Sequence, residues 1–199
     1  MNRTLIAPFL LLPALAVSCG KSDDATPPDT TPPDAAPADV ASGRVLAGTT
    51  VTLGEETHRF DPKDDGYVTS TGLRFKVEAD RVKVKGADGR ELCKVKKKDD
   101  GFKAYRNGAD DAFLRGKRRG DGFKLTKKPS DEEMGRIEKG GGTVSGEAIT
   151  VEGDAVRRAG TEVGTAPGLP ATVAAMLGLT ELSAAERLAL VVYATEVAR

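Results

Sequence analysis

From Tyr67 to Val163 the chain alternates apolar and polar residues in short runs broken by Gly and Asp. In "RFKVEA" the residues Phe75, Val77 and Ala79 share one side, while Lys76 and Glu78 take the other. "RVKVKG" repeats the pattern with Val82 and Val84. A two-residue period marks a strand with one buried face. The runs are separated by turn formers, at Ala87-Asp88-Gly89, Asp99-Asp100-Gly101, Asn107-Gly108 and Asp121-Gly122. The segments starting at Val82, Phe102 and Phe123 each read as strand, polar turn, strand, and "EAITVEGDAVRRAG" does so again around Gly153-Asp154. This predicts an antiparallel meander of about 10–12 short strands, open or closed into a barrel.

The pattern changes after Pro170. Residues 171–178 read as a short helix ending at Gly178. Ser183 and Glu186 then form an S-x-x-E capping box ahead of a helical run from 183 to 199. Leu188 to Ala194 is apolar on every side, and such a helix is buried all round or lies in a membrane. The run has 17 residues with charges at Glu186, Arg187 and Glu196, against the ~20 apolar residues a span requires. Burial within the protein is therefore expected. Two architectures remain open, a barrel curled around the helix and a sheet with the helix across one face.

The first 43 residues follow a different grammar. Arg3 precedes an apolar stretch from Leu5 to Leu12 and small residues up to Cys19, in the charged, apolar, small order of a secretory signal. Residues 20–43 hold the doubled unit Thr-Pro-Pro-Asp and almost no large apolar side chain. Such a segment has too little apolar surface to fold and favours extended polyproline II. At ~3.1 Å per residue it would reach on the order of 70 Å. The predicted organisation is a signal at 1–18, a cysteine and linker at 19–43, and one β-rich domain at 44–199.

Two resemblances add to this reading. Ala16-Val17-Ser18-Cys19 resembles the lipobox of bacterial lipoproteins, which implies cleavage before Cys19 and lipidation of that residue. Gly20, where Asp would retain the protein at the inner membrane, resembles the outer-membrane sorting pattern. The resemblance thus implies a bacterial cell-envelope address, lipid-anchored at the outer membrane. The hairpin units of Lys83–Tyr105, "KVKGADGRELCKVKKKDDGFKAY", with the helix Glu186–Ala198, "ERLALVVYATEVA", are similar in pattern and order to the tubby and phospholipid-scramblase superfamily. That similarity implies a barrel of about twelve strands around a hydrophobic C-terminal helix.

Charge and chemistry narrow the function classes. The chain carries 30 basic and 30 acidic residues, so net charge names no partner. Between Arg74 and Lys128, however, stand 19 Lys or Arg against 9 Asp or Glu, with the cations alternating along strands. Lys94, Lys96, Lys103 and Lys124 are the candidate anion-binding face, for anionic lipid, glycan or an acidic envelope protein. The same pattern also suits a solvated outer face whose lysines guard the sheet. An envelope address excludes nucleic acid as partner.

Candidate catalytic groups are sparse, and no catalytic residue, cofactor or metal ligand is assigned. His58 is the single histidine and reads as an ordinary strand residue. Gly142-Thr143-Val144-Ser145-Gly146 lacks the G-x-S-x-G spacing of a nucleophile elbow, and Gly140-Gly141-Gly142 lacks the Lys of a phosphate loop. Asp61–Gly66 has Lys63 where a calcium loop needs an acid. Cys93 alternates with Val95 and reads as a core residue. The expectation is a non-catalytic, membrane-anchored envelope lipoprotein presenting a β-domain. The alternatives are a lipid-handling envelope protein that holds or moves amphiphiles, and an enzyme working through carboxylates alone.

Overall fold

The computed structural model describes residues 43–198. The signal, Cys19 and nearly all of the linker lie outside the described residues, as does Arg199. Fourteen strands follow one another as antiparallel neighbours, and the first pairs with the last to close a barrel. The first half is β1 (Thr50–Leu53), β2 (Glu56–Lys63), β3 (Gly66–Thr69), β4 (Arg74–Glu78), β5 (Arg81–Lys85), β6 (Glu91–Lys98) and β7 (Gly101–Arg106). The second is β8 (Ala112–Arg119), β9 (Gly122–Lys127), β10 (Glu133–Glu138), β11 (Gly141–Val144), β12 (Glu147–Glu152), β13 (Ala155–Arg158) and β14 (Thr161–Thr165). The helical part is α1 (Ala171–Ala174), a 3₁₀ turn (Ala175–Gly178) and α2 (Ala184–Glu196).

The strand count exceeds the expected ten to twelve. β1 and β2 lie ahead of Tyr67, and β11 is the four-residue run Gly-Gly-Thr-Val, too poor in side chains to show alternation. α2 is also shorter than the predicted 183–199. Ser183 is its cap rather than its first residue, and the amides of Val197 and Ala198 both return to the carbonyl of Tyr193, which ends it. The capping box forms as the sequence requires. Ser183 Oγ accepts from the Glu186 amide at 3.3 Å, and Glu186 Oε2 accepts from the Ser183 amide at 2.8 Å.

Between the two architectures, the barrel is the one formed. Val51, Phe60, Val82, Val84, Cys93, Val95, Phe102, Leu114, Leu125 and Ile137 point inward and are buried. α2 fills the lumen, lying against β4, β5 and β6, while α1 and the 3₁₀ turn lie against it, the 3₁₀ turn also against β10 and β12 to β14. Leu188 through Tyr193 are consecutive and all buried, so the helix has no solvent face along that stretch. Tyr193 stacks its ring 5.4 Å from that of Phe102 and donates to the carbonyl of Gly101 at 2.9 Å. Each such side chain removed from water contributes ~1.5–3 kcal/mol. Two glycines admit this filling. A Cβ at Gly178 would come within 2.8 Å of Ile149, and one at Gly116 within 2.1 Å of Phe102. Every strand, and every side chain of this core, lies between Leu46 and Ala198. The domain therefore has what it needs to fold without the leader and linker.

The barrel has two distinct ends, set by the direction of α2. At its tail, Lys97 Nζ donates to the Val197 carbonyl at 3.2 Å, and Arg118 donates to that of Ala198. Cations thus meet the negative end of the helix, where they stabilise it. At its head, Arg106 pairs with Glu186 at 2.6 Å, and Cys93 Sγ lies 3.8 Å from the carbonyl of Ala185.

Candidate binding face

Alternation on the barrel wall sends Cys93 and Val95 inward and Lys94 and Lys96 outward. On β7 the same rule buries Phe102 and Ala104 and turns Lys103 and Tyr105 out. Antiparallel register then lines up residues that are distant in sequence. Arg81 lies opposite Lys96, Lys96 opposite Lys103, and Lys103 opposite Arg115, forming a row of four cations across four strands. One row along, Lys83 faces Lys94, which faces Tyr105.

Like charges directly opposite one another on a sheet destabilise it, within the ~0.2–1 kcal/mol range of cross-strand pair effects. The margins of this patch relieve that cost with acids. Arg81 bonds Asp80 at 2.8 Å and Lys83 bonds Glu78 at 3.0 Å. Arg115 bonds Asp100 at 2.7 Å, and Lys117 lies 3.6 Å from the same carboxylate. Asp100 is partly desolvated, which favours its neutral form, yet these two cations hold its carboxyl below the ordinary range.

The centre is different. Among the described residues Lys94, Lys96 and Lys103 have no carboxylate within ion-pair distance. Instead the ammonium groups of Lys94 and Lys96 stand 5.2 and 5.6 Å from the ring centroid of Tyr105. A cation over an aromatic face gains ~0.5–1 kcal/mol at an exposed site and keeps its charge available. Three cations therefore stand side by side with no ion-paired acid among the described residues.

Lys124 does not belong to this group. It lies opposite Lys117 and forms an ion pair with Glu133 at 2.6 Å. That carboxyl is held below its usual range by Lys124 first and Arg136 second. The sequence ranked Lys124 with the others because it too follows an inward Phe, but ion pairing across β9 and β10 is not legible from spacing. Conversely Arg81 and Arg115 belong to this face beside Tyr105, and their outward parity follows from the same alternation. Phe102 and Phe123, the aromatics that precede Lys103 and Lys124, are core residues whose rings sit 5.3 Å apart.

His58 is on β2, as expected, but inside the barrel mouth, with Nδ1 2.8 Å from Thr71 Oγ1. Ser145 ends its own bonding at Glu181 Oε1, 2.7 Å away, so serine and histidine serve different partners. Asp64 and Asp65 form the turn of the β2–β3 hairpin, Asp64 with φ 46°. Among the described residues no group of three or more His, Cys, Asp or Glu is placed to hold a metal ion. Cys93 is buried, and burial, with Glu186 second, pushes its thiol up to about 12, which makes it inert.

No protein-family model, no curated protein and no solved structure matches the chain. The geometry of the barrel wall is therefore the ground for a functional reading.

Proposed function

We propose that the protein is a non-catalytic lipoprotein of the bacterial outer membrane, anchored through Cys19, whose barrel wall binds anionic lipid head groups. The observation that carries this reading is the pair Lys94 and Lys96 over Tyr105, with Lys103 opposite Lys96, left without ion-paired acids among the described residues while the cations at their margins are paired. A phosphate group docked there gains charge-assisted hydrogen bonds from ammonium groups already held in place. A tethered barrel meets such head groups at high effective concentration, so weak individual contacts suffice. The packed interior supports binding on the wall rather than transport of an amphiphile through the lumen.

The test is sedimentation of the domain from residue 44 with vesicles of phosphatidylglycerol and phosphatidylcholine against vesicles of phosphatidylcholine alone. Preferential binding to the anionic vesicles at low salt is expected. Equal partitioning overturns the lipid reading, and binding only to an acidic glycan or an acidic protein replaces it with that partner. The anchor is tested separately in cells. Cys19→Ser should release the protein from membranes or leave its precursor uncleaved, and normal maturation with retained membrane association overturns the anchor.

A further inference from the structure

At the head of α2 the barrel mouth opens into a concavity of about 730 Å³, within the roughly 300–1,000 Å³ of small-molecule sites. We propose that this concavity binds a small amphipathic carboxylate, its acid group on the first amides of α2 and on His58, its apolar body along Leu73 and Leu92. The proposal is independent of the lysine cluster on the wall.

The helix supplies the first anchor. The capping box satisfies the amides of Ser183 and Glu186, and leaves those of Ala184 and Ala185 with no acceptor among the described residues. Both residues line the concavity. Free amides at a helix head carry the positive end of its dipole and attract an anion.

His58 supplies an independent second anchor. It lines the same concavity and is only 1% exposed, yet its Nε2 has no hydrogen-bond partner. Glu56 Oε2 lies 3.5 Å away and makes no hydrogen bond to it. In the tautomer whose Nδ1 accepts from the Thr71 hydroxyl, Nε2 carries the proton and is a buried donor without an acceptor. A buried donor without an acceptor costs free energy that a ligand oxygen would recover. Glu56 is exposed on the rim, and a ligand carboxylate bound to Nε2 takes its place beside His58.

Of the three carboxylates that line the concavity, Glu186 is neutralised by Arg106 and Glu181 by Arg158, at 2.6 and 2.7 Å, and Glu56 is met only by His58. Arg187, close enough to act on His58, has no carboxylate partner among the described residues, and its Nε is buried without an acceptor. The apolar requirement comes from Leu92, which is 38% exposed and one of two large apolar side chains so exposed among the described residues.

Octanoate is the probe, titrated into the domain from residue 44 and followed by amide and imidazole nuclear magnetic resonance. The single histidine makes the ring signals unambiguous. The Ala184 and Ala185 amides and the His58 ring should shift together and saturate, with octanol, octylamine and acetate each binding at least about tenfold more weakly. Ala185→Glu places a competing carboxylate in the first turn, where an acid suits the helix. It should keep the thermal midpoint and weaken octanoate about tenfold or more. Leu92→Ser, at an exposed position, should weaken octanoate without altering stability. Octanol matching octanoate, shifts confined to other residues, or undiminished binding by Ala185→Glu would each overturn the proposal.

Discussion

The amide of Val45 donates to the carboxylate of Glu196 at 3.0 Å, joining two residues 151 positions apart. The same carboxylate oxygen accepts the hydroxyl of Tyr67, whose oxygen in turn accepts from the Leu46 amide at 3.1 Å. The start of the domain is thereby fastened to the tail of the helix that fills it. Glu196→Ala leaves a backbone donor and a phenol without their acceptor, which should cost ~1–3 kcal/mol. A urea melt would show the loss, and hydrogen exchange at Val45 and Leu46 should accelerate. A variant within about 0.5 kcal/mol of the parent, the scatter of ordinary surface changes, would mean that water replaces the carboxylate at no cost.

These buried hydroxyls also set an alkaline limit. Burial first, then Glu196, raises the Tyr67 phenol above its ordinary range, and burial pushes Tyr193 up to about 12. A folded pKa above the unfolded value means that stability is complete below pH ~10 and is lost as pH rises through the folded values. The urea midpoint should therefore fall between pH 10 and 12, and Tyr193→Phe should flatten that fall. An unchanged slope in this variant would assign the alkaline loss to other groups.

The enclosing barrel makes a sharp demand on α2. Leu188 and Leu190 project about 200° apart on the helix, yet both are buried. Leu188→Ala and Leu190→Ala should each destabilise by ~2–5 kcal/mol. A helix lying across one face of a sheet would tolerate one of the two. A silent variant in a denaturant melt would contradict the filled lumen.

On the opposite wall, Arg158 is buried beneath the loop ahead of α2. It donates to both carboxylate oxygens of Glu181 at 2.7 Å, to Thr180 Oγ1 at 2.6 Å and to Glu147 at 2.6 Å. Chiefly because of Arg158, the Glu181 carboxyl is lowered to about 2. A depressed folded pKa contributes stability above the unfolded value near 4.5 that is lost as pH falls through about 2. Discounted for solvent screening at this partly exposed carboxylate, the contribution is on the order of 1 kcal/mol. Glu181→Gln should remove that part of the acid dependence, and Arg158→Leu should cost ~3–5 kcal/mol by leaving charges unpaired. An acid-unfolding curve identical in Glu181→Gln and the parent would rule this pair out as its source.

The sequence made the meander, the capping box and the all-round apolar helix legible because each is a local pattern. The barrel was legible only as one of two arrangements, since closure depends on β1 pairing with β14, more than a hundred residues later. The outward parity of Lys94, Lys96 and Lys103 was likewise readable from their own strands. Their freedom from acids was not, because it depends on what register places opposite each one, and Lys124 shows the error that follows. His58 illustrates the same limit. Alternation put it on a strand, but its burial and unsatisfied nitrogen arise where the rim meets the head of α2.

That difference between Lys124 and the three unpaired lysines gives the last prediction its control. Near an anionic membrane each cation contributes on the order of 1 kcal/mol, so Lys94, Lys96 and Lys103 together account for about a hundredfold in binding. Changing all three to Gln should reduce sedimentation with phosphatidylglycerol vesicles by about that factor. The thermal midpoint should hardly move, because exposed charges contribute little to folding and four like-charge contacts are relieved. Lys124→Gln should have a much smaller effect, since Glu133 already neutralises that ammonium group. Binding by the parent should fall steeply with salt, as the Debye length shrinks from ~10 Å at 0.1 M to ~3 Å at 1 M. If Lys124→Gln weakened binding as much as any one of the three, net charge rather than the cluster around Tyr105 would be what the vesicle senses.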